Sequence, residues 1–270
     1  MSVCGWHIYH RERFIYRANS GSPQIRLKVY HYPEYRQRVV GERLPPGFKV
    51  KKKGHNRFLV FNGKVSSKNT ISLDRDVQVF PEEKTVALKE GWGRISDIDP
   101  SMSAKYGEAS RFWPDTIKVN DDRFESDDLS EWVASVWRFI RKSISPENQE
   151  KRWGAEEALK RGIGDCDEFT DIFMSLARKR GIPCRRITGF FVKGGAERHA
   201  WAEVFSPLHG WLTVDIAINN IGSHTRNYIV LKVEEFNPDI SDYQVRIRHV
   251  TKVHSEWEIS EPEITEIPCE

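Results

Sequence analysis

Cys166, His199 and Asp215, in that chain order, are the residues whose types and spacing can carry covalent chemistry. A thiolate is a strong nucleophile, an imidazole takes and returns protons near neutral pH, and a carboxylate can fix which ring nitrogen carries the proton. The three need to meet only in space. Cys166 stands in Gly164-Asp165-Cys166-Asp167-Glu168-Phe169, a short Gly-containing turn that runs into a helical pattern. From there Phe169, Ile172, Phe173, Leu176 and Ala177 recur at the spacing of one buried helical face, so a helix is predicted over 166–180. Asp165 is its expected N-cap, Glu168 completes a capping box, and Gly181 and Pro183 end it. Cys166 then sits at the positive end of a helix, which favours a thiolate, whereas an inert cysteine belongs on the apolar face. Asp165, Asp167 and Glu168 oppose that charge, so a cationic partner is required.

The partner must come from the strands that follow. Arg185–Val192, His199–Phe205 and Trp211–Ala217 read as strands, the last two joined by the turn Ser206-Pro207-Leu208-His209-Gly210. His199, Trp201, Glu203 and Phe205 share one face, and Trp211, Thr213 and Asp215 share another. Pairing about Pro207 brings His199 and Asp215 to within one or two positions of each other, close enough for a carboxylate to hold the ring. His209 falls in the turn and His224 in a loop, so neither competes as the base. Trp201 and Trp211 are expected in the core or cleft wall, Trp201 beside the imidazole, and Glu203 in a structural or exposed place.

Four blocks resemble a known family: Gly164–Phe169, Arg180-Gly181-Ile182-Pro183-Cys184-Arg185, His199-Ala200-Trp201-Ala202-Glu203-Val204 and Gly210-Trp211-Leu212-Thr213-Val214-Asp215. In this order they are similar to the core of the transglutaminase-like superfamily. The resemblance implies a papain-like fold, with a cysteine-bearing helix packed on an antiparallel sheet that bears the histidine and aspartate. It also implies Cys166 as nucleophile, His199 as base and Asp215 as orienter. Alanine is more usual in the family where Cys184 stands, which makes Cys184 a packing residue.

The expected fold class is α+β, a sandwich-like all-β domain over 1–92 followed by the papain-like core over 93–270. Before residue 90, Phe14–Arg17, Gln24–Tyr32, Phe48–Lys53, Arg57–Asn62 and Thr70–Phe80 read as strands, with Gly54-His55-Asn56 as a hairpin turn. Helices are expected over 126–142 and 155–161, whereas 91–125 gives no clear pattern. Beyond Asp215, Tyr228–Val233 and Tyr243–Val253 read as strands extending the core sheet, with a turn at Asn237-Pro238-Asp239 and a frayed or docked Glu- and Pro-rich tail.

Charge divides with the domains. Residues 1–90 carry a net +10 and the rest −7, together the +3 of the chain. A basic module joined to an acidic one fits electrostatic docking of the two, a solvated hairpin at Lys49, Lys51, Lys52 and Lys53, or an anionic partner for the basic domain. No nucleic-acid signature is present, and nucleic acid is not an expected partner. No apolar run approaches the roughly 18 residues of a membrane span, so no membrane partner is expected either. Arg11, Glu12 and Arg13 interrupt any hydrophobic segment of signal-peptide length. The four cysteines are far apart and form no CxxC pair, so neither disulfides nor zinc are expected, and the cytoplasm is the expected compartment. No cofactor and no metal are assigned.

The chemistry expected is acyl transfer through a thioester on a peptide or carboxamide, ending in hydrolysis or in glutamine–amine transamidation. The Cys166 backbone N–H is one expected oxyanion donor. Trp132, Trp137 and Trp153 stand equal as the second. The competing reading is a catalytically idle binding or assembly module.

Overall fold

A computed structural model describes residues 2–19, 23–66, 68–119, 122–234, 243–248 and 253–269. The chain begins with six strands, β1 (Val3–Ala18), β2 (Gln24–His31), β3 (Gln37–Arg43), β4 (Lys49–Lys53), β5 (Asn56–Lys64) and β6 (Lys68–Pro81). A short β7 (Lys84–Thr85) and helix α1 (Pro100–Tyr106) lead to α2 (Leu129–Ser143), β8 (Ser145–Pro146), α3 (Ala155–Arg161), β9 (Ile163–Gly164) and α4 (Cys166–Lys179). Then follow β10 (Cys184–Val192), β11 (Ala196–Ser206), β12 (Gly210–Asp215), β13 (Asn220–Ile221), β14 (Ser223–His224) and β15 (Tyr228–Glu234). The chain closes with β16 (Tyr243–Arg248), β17 (Val253–Ile259) and β18 (Glu263–Pro268). The fold mixes α and β and is dominated by strands.

Two sheets face each other in the sandwich. One has the order β17-β1-β6-β3, with β18 also paired to β1; the other has the order β16-β2-β5-β4. Between them lie Phe14, Tyr16, Ile25, Leu27, Val29, Leu59, Ile71 and Leu73. Gly54 adopts φ +57° in the turn between β4 and β5, where the sequence places a hairpin. β1 begins well before the expected Phe14. Its buried row, Trp6, Ile8, His10, Glu12, Phe14 and Tyr16, is interrupted by two polar residues that mask the alternation. Arg75 contacts both, with Nη2 2.6 Å from Glu12 Oε2 and 2.9 Å from His10 Nδ1.

The C-terminal strands correct one expectation. β16 does not extend the core sheet but pairs antiparallel with β2, Tyr243 opposite Val29 and Arg248 opposite Gln24. Its Tyr243, Val245 and Ile247 cover the sandwich core, where Tyr243 stacks on Trp257 at 4.3 Å. Of the two outcomes expected for the tail, it is docked: β17 and β18 pair with β1 along its length. The sandwich therefore combines residues 3–81 with 243–268, and the division at residue 92 does not describe the second segment. The expected turn Asn237-Pro238-Asp239 lies outside the described residues.

Cys4 and Cys269 form a disulfide, contrary to the expectation drawn from their distance in sequence. Antiparallel pairing of β1 with β18 sets Val3 opposite Pro268 and so brings the two thiols together.

The core is an antiparallel sheet of order β13-β12-β11-β10-β15, with α4 packed against β10 and β11 and α2 against α4. Trp132, Val133, Val136, Phe169, Ile172 and Phe173 form much of that helix–sheet core. A second buried cluster joins the two bodies: Trp6, Ile8, Tyr32, Val77 and Val79 of the sandwich meet Phe190, Val192, Ile229 and Leu231 of the core sheet. The apolar seam fixes their relative placement.

Candidate active site

The N-terminus of α4 is built as the sequence indicates. Asp165 Oδ1 accepts from the Asp167 N–H at 2.9 Å, and Glu168 Oε2 accepts from the Asp165 N–H at 3.1 Å. Glu168 Oε1 also accepts from the Trp153 N–H at 2.7 Å, tying the preceding loop to the helix. Burial pushes the Glu168 carboxyl up to about 7, although both backbone donors oppose the shift. A Cβ on Gly164 would collide with the Glu168 side chain, so the turn before the helix needs glycine. One turn into α4, Thr170 Oγ1 donates to the Ala200 carbonyl at 3.2 Å, which holds the helix start over β11 beside His199.

The hairpin register carries the other half. Ala202 pairs with Val214 and Ser206 with Gly210, so Asp215 falls opposite Trp201, one same-face step from His199. His199 Nε2 lies 2.7 Å from Asp215 Oδ2, and the ring lines the same cleft as Cys166, whose sulfur favours charge on it. Burial opposes a charge on His199, but the hydrogen bonds and charges of Asp215 and Cys166 outweigh it and raise the ring to about 10. The imidazolium is thus the favoured form through neutral pH. Trp201 stacks beside the ring at 6.1 Å, as its shared face requires.

Sequence reasoning missed Tyr228. Its hydroxyl donates to Asp215 Oδ2 at 2.9 Å and accepts from Asn220 Nδ2 at 2.7 Å. Asp215 Oδ2 is therefore held by two donors, and Oδ1 accepts from the Ile218 N–H at 3.4 Å. β15 reads only as an apolar strand, and nothing in its own pattern shows that its first residue faces a carboxylate.

Cys166 and His199 open onto a cleft of about 330 Å³, also lined by Thr188, Gly189 and several ionic side chains. A Cβ on Gly189 would collide with the Ile229 carbonyl, because β10 and β15 shift register there. Arg186 binds Asp167 and, at 3.1 Å, Glu234; Lys232 Nζ is 2.6 Å from Glu234, and Arg152 clamps Asp171 through 2.8 and 2.5 Å contacts. Burial disfavours charge on Arg186, yet Glu234, Asp167 and Asp171 outweigh that and hold its pKa above the ordinary guanidinium value. This answers the objection raised by acidic neighbours. Asp167 is paired with Arg186, and Asp165 is occupied by the N–H groups of Asp167 and Gln149. Asp165, Cys166 and Asp167 bring ligand atoms within 4.8 Å of one another, but both carboxylates are already engaged, and they are assigned no metal.

None of the three candidate indoles lines the cleft. Trp132 is buried against Phe173, Trp137 packs on the helical core, and Trp153 lies under Arg161. Cys184 is fully buried and Glu203 is a buried structural residue, held by Arg185 and Arg36 at 2.9 and 3.1 Å and by Tyr35. His209 and His224 lie away from Cys166, bonded to the Gly91 carbonyl and Thr213 respectively.

Residues 116–216 match the family model described as Transglutaminase-like superfamily. A crystal structure of a candidate cysteine protease from Cytophaga hutchinsonii superposes with a TM-score of 0.63 at 16% identity, covering 98% of this chain and 94% of that one. The shared fold thus includes the sandwich as well as the core. The periplasmic domain of TgpA from Pseudomonas aeruginosa matches with a TM-score of 0.36 at 14% identity, over 75% of this chain and 92% of that one. No curated protein matches the sequence. Residues 116–216 are thus similar to the core of the transglutaminase-like superfamily, and the chain shares its fold with the Cytophaga hutchinsonii structure.

Proposed function

We propose that the protein is a cysteine-dependent amide hydrolase acting on peptide or carboxamide substrates through a thioester. The observation that carries this reading is the 2.7 Å contact of His199 with Asp215, together with the opening of His199 and Cys166 onto one cleft. In the first step the Cys166 sulfur attacks the carbonyl carbon, the C–S bond forms, and the π electrons move to oxygen. The Cys166 N–H belongs to the first helical residue and has no earlier carbonyl within the helix to bind, so it is available to the oxyanion. Collapse breaks the C–N bond, and His199 gives its proton to the departing amine. Water then attacks the thioester, losing a proton to His199, and the acid leaves as the sulfur is freed. Asp215 holds the Nε2–H throughout and so leaves Nδ1 to exchange the proton.

We favour hydrolysis over transamidation because the cleft lining, with Arg152, Arg198, Lys232 and Glu234, is polar and compatible with water as the acceptor. The disulfide also favours an oxidising compartment over the cytoplasm expected from sequence.

The thiol inventory makes a clean test. Cys4 and Cys269 are paired and Cys184 is buried, so Cys166 is the accessible thiol of the oxidised protein. Iodoacetamide labelling at pH 6 should be fast and fall about a hundredfold in His199→Ala. Equal rates in the two proteins would instead support the idle binding module. Release of ammonia or amine without incorporation of a fluorescent amine into a glutamine-containing protein would identify water as the acceptor.

A further inference from the structure

The sheet β16-β2-β5-β4 has one face in the sandwich core and one turned outward. Its 28 residues include ten Lys and Arg and no Asp or Glu. Paired residues share a face, so the register fixes the outward set. Arg246 lies opposite Arg26, Gln244 opposite Lys28, and Arg248 opposite Gln24. Across β5, Lys64 pairs with Gln24, while Lys49 and Lys51 of β4 pair with Val60 and Phe58. The face has a hollow of about 270 Å³ walled by Arg26, Lys28, Lys51 and Arg246, with Phe58 and Val60 in its floor. Among the described residues, Arg26, Lys49, Lys51, Arg246 and Arg248 meet no carboxylate.

Lysines on an edge strand commonly guard against pairing with another sheet, and β4 is such an edge. That explanation does not reach Arg26 and Lys28, which stand on the inner strand β2. Nor does it explain Arg26 directly opposite Arg246, since like charges in that relation destabilise a sheet.

The basic face adjoins the cleft through one series of buried contacts. Lys232, which lines the cleft beside His199, lies with Nζ 4.9 Å from the centre of the Tyr30 ring. Tyr30 meets Phe58 at 4.6 Å, and Lys28 Nζ sits 3.8 Å over the Phe58 ring. We infer that this face docks an acidic, extended segment of the polypeptide substrate whose amide is carried on to Cys166. The inference rests on the amide chemistry proposed above. An extended peptide repeats its side chains on one face every roughly 7 Å, the same step that separates Arg26 from Lys28 along β2. Tyr30 and Phe58 are buried and covered by lysines, so no ring is open to stack on bases as a single-stranded nucleic acid would require. The face also presents no exposed apolar side chain to enter a lipid surface.

The test is binding, read by fluorescence anisotropy on the full-length Cys166→Ser protein with a labelled peptide of alternating Glu and Ser. The peptide should bind with an affinity that falls as salt rises. Arg26→Gln with Arg246→Gln should weaken it by about threefold to tenfold, as should Lys49→Gln with Lys51→Gln on the other strand. The Lys replacements of both arginines should retain binding. Unchanged affinity in both Gln pairs overturns the inference, as does tighter binding of a heparin oligosaccharide, a single-stranded oligonucleotide or phosphatidylserine vesicles. Binding to a protein lacking the thiol is independent of turnover, so its outcome is separable from that of the His199→Ala labelling experiment.

Discussion

Asp215→Asn removes the charge that keeps His199 protonated while preserving the shape of the site. The ring is raised from 6.5 to about 10, against the opposing effect of its burial. Since each pK unit is worth about 1.4 kcal/mol, the interactions with Asp215 and Cys166 together favour the imidazolium by about 5 kcal/mol net. With a neutral amide at 215, burial becomes the dominant influence and His199 loses its proton at neutral pH. Labelling of Cys166 by iodoacetamide at pH 6 should then slow by about a hundredfold, the order expected when a thiolate loses its cationic partner. Stability supplies a second reading. A group whose pKa is raised on folding stabilises the native state fully below its unfolded value, and that contribution is lost as pH rises through its folded value. For His199 the window runs from 6.5 to about 10. Native protein should therefore lose stability across that interval in urea melts, and the variant should lose much less. Labelling of the variant at pH 6 as fast as that of the native protein would refute the reasoning, because another group would then be charging the imidazole.

Tyr228→Phe deletes one of the two donors to Asp215 Oδ2 and leaves the His199 contact intact. Turnover should fall by about tenfold with little change in KM, and stability by about 1–3 kcal/mol, read by steady-state kinetics and denaturant melts. Acid should unfold the protein from within the sandwich and the β14 loop. Burial depresses His31 and His224 to about 4 and His10 to about 2, so stability present above pH 6.5 is lost as pH falls toward those values. His31→Gln should flatten that loss in urea melts between pH 6 and 4. Reducing Cys4–Cys269 frees a loop closed across 265 residues, and denaturant melts with and without dithiothreitol should differ by about 3–5 kcal/mol.

The candidate site was largely legible in the sequence because its determinants are local. A capping box fixes where α4 starts, and a short hairpin fixes which strand positions share a face with His199. The long-range pairings were not legible. β16, β17 and β18 alternate as well as any core strand, and nothing in Tyr243, Val245 and Ile247 says which apolar surface they will cover. The alternation of β1 is masked because His10 and Glu12 occupy buried positions, and their partner Arg75 lies 65 residues beyond His10 in sequence. The disulfide was hidden for the same reason. Its two cysteines are distant along the chain and become neighbours only through the pairing of β1 with β18.

Sandwich and core also meet on the strand that carries the imidazole. One face of β11 holds His199, Trp201 and Glu203 in alternate positions. At the cleft end His199 is fixed by Asp215, and at the other end Glu203 is fixed by Arg36 and Tyr35 from the loop after β2, with Arg185 of β10. Arg36 also donates to the Trp211 carbonyl on β12, the strand that ends in Asp215. Burial alone would drive Glu203 to take up a proton, but Arg185 and Arg36 outweigh it and keep the carboxylate charged. The sandwich loop thus grips both strands of the hairpin whose register sets the His199–Asp215 distance. The sandwich therefore helps to hold His199 beside Asp215.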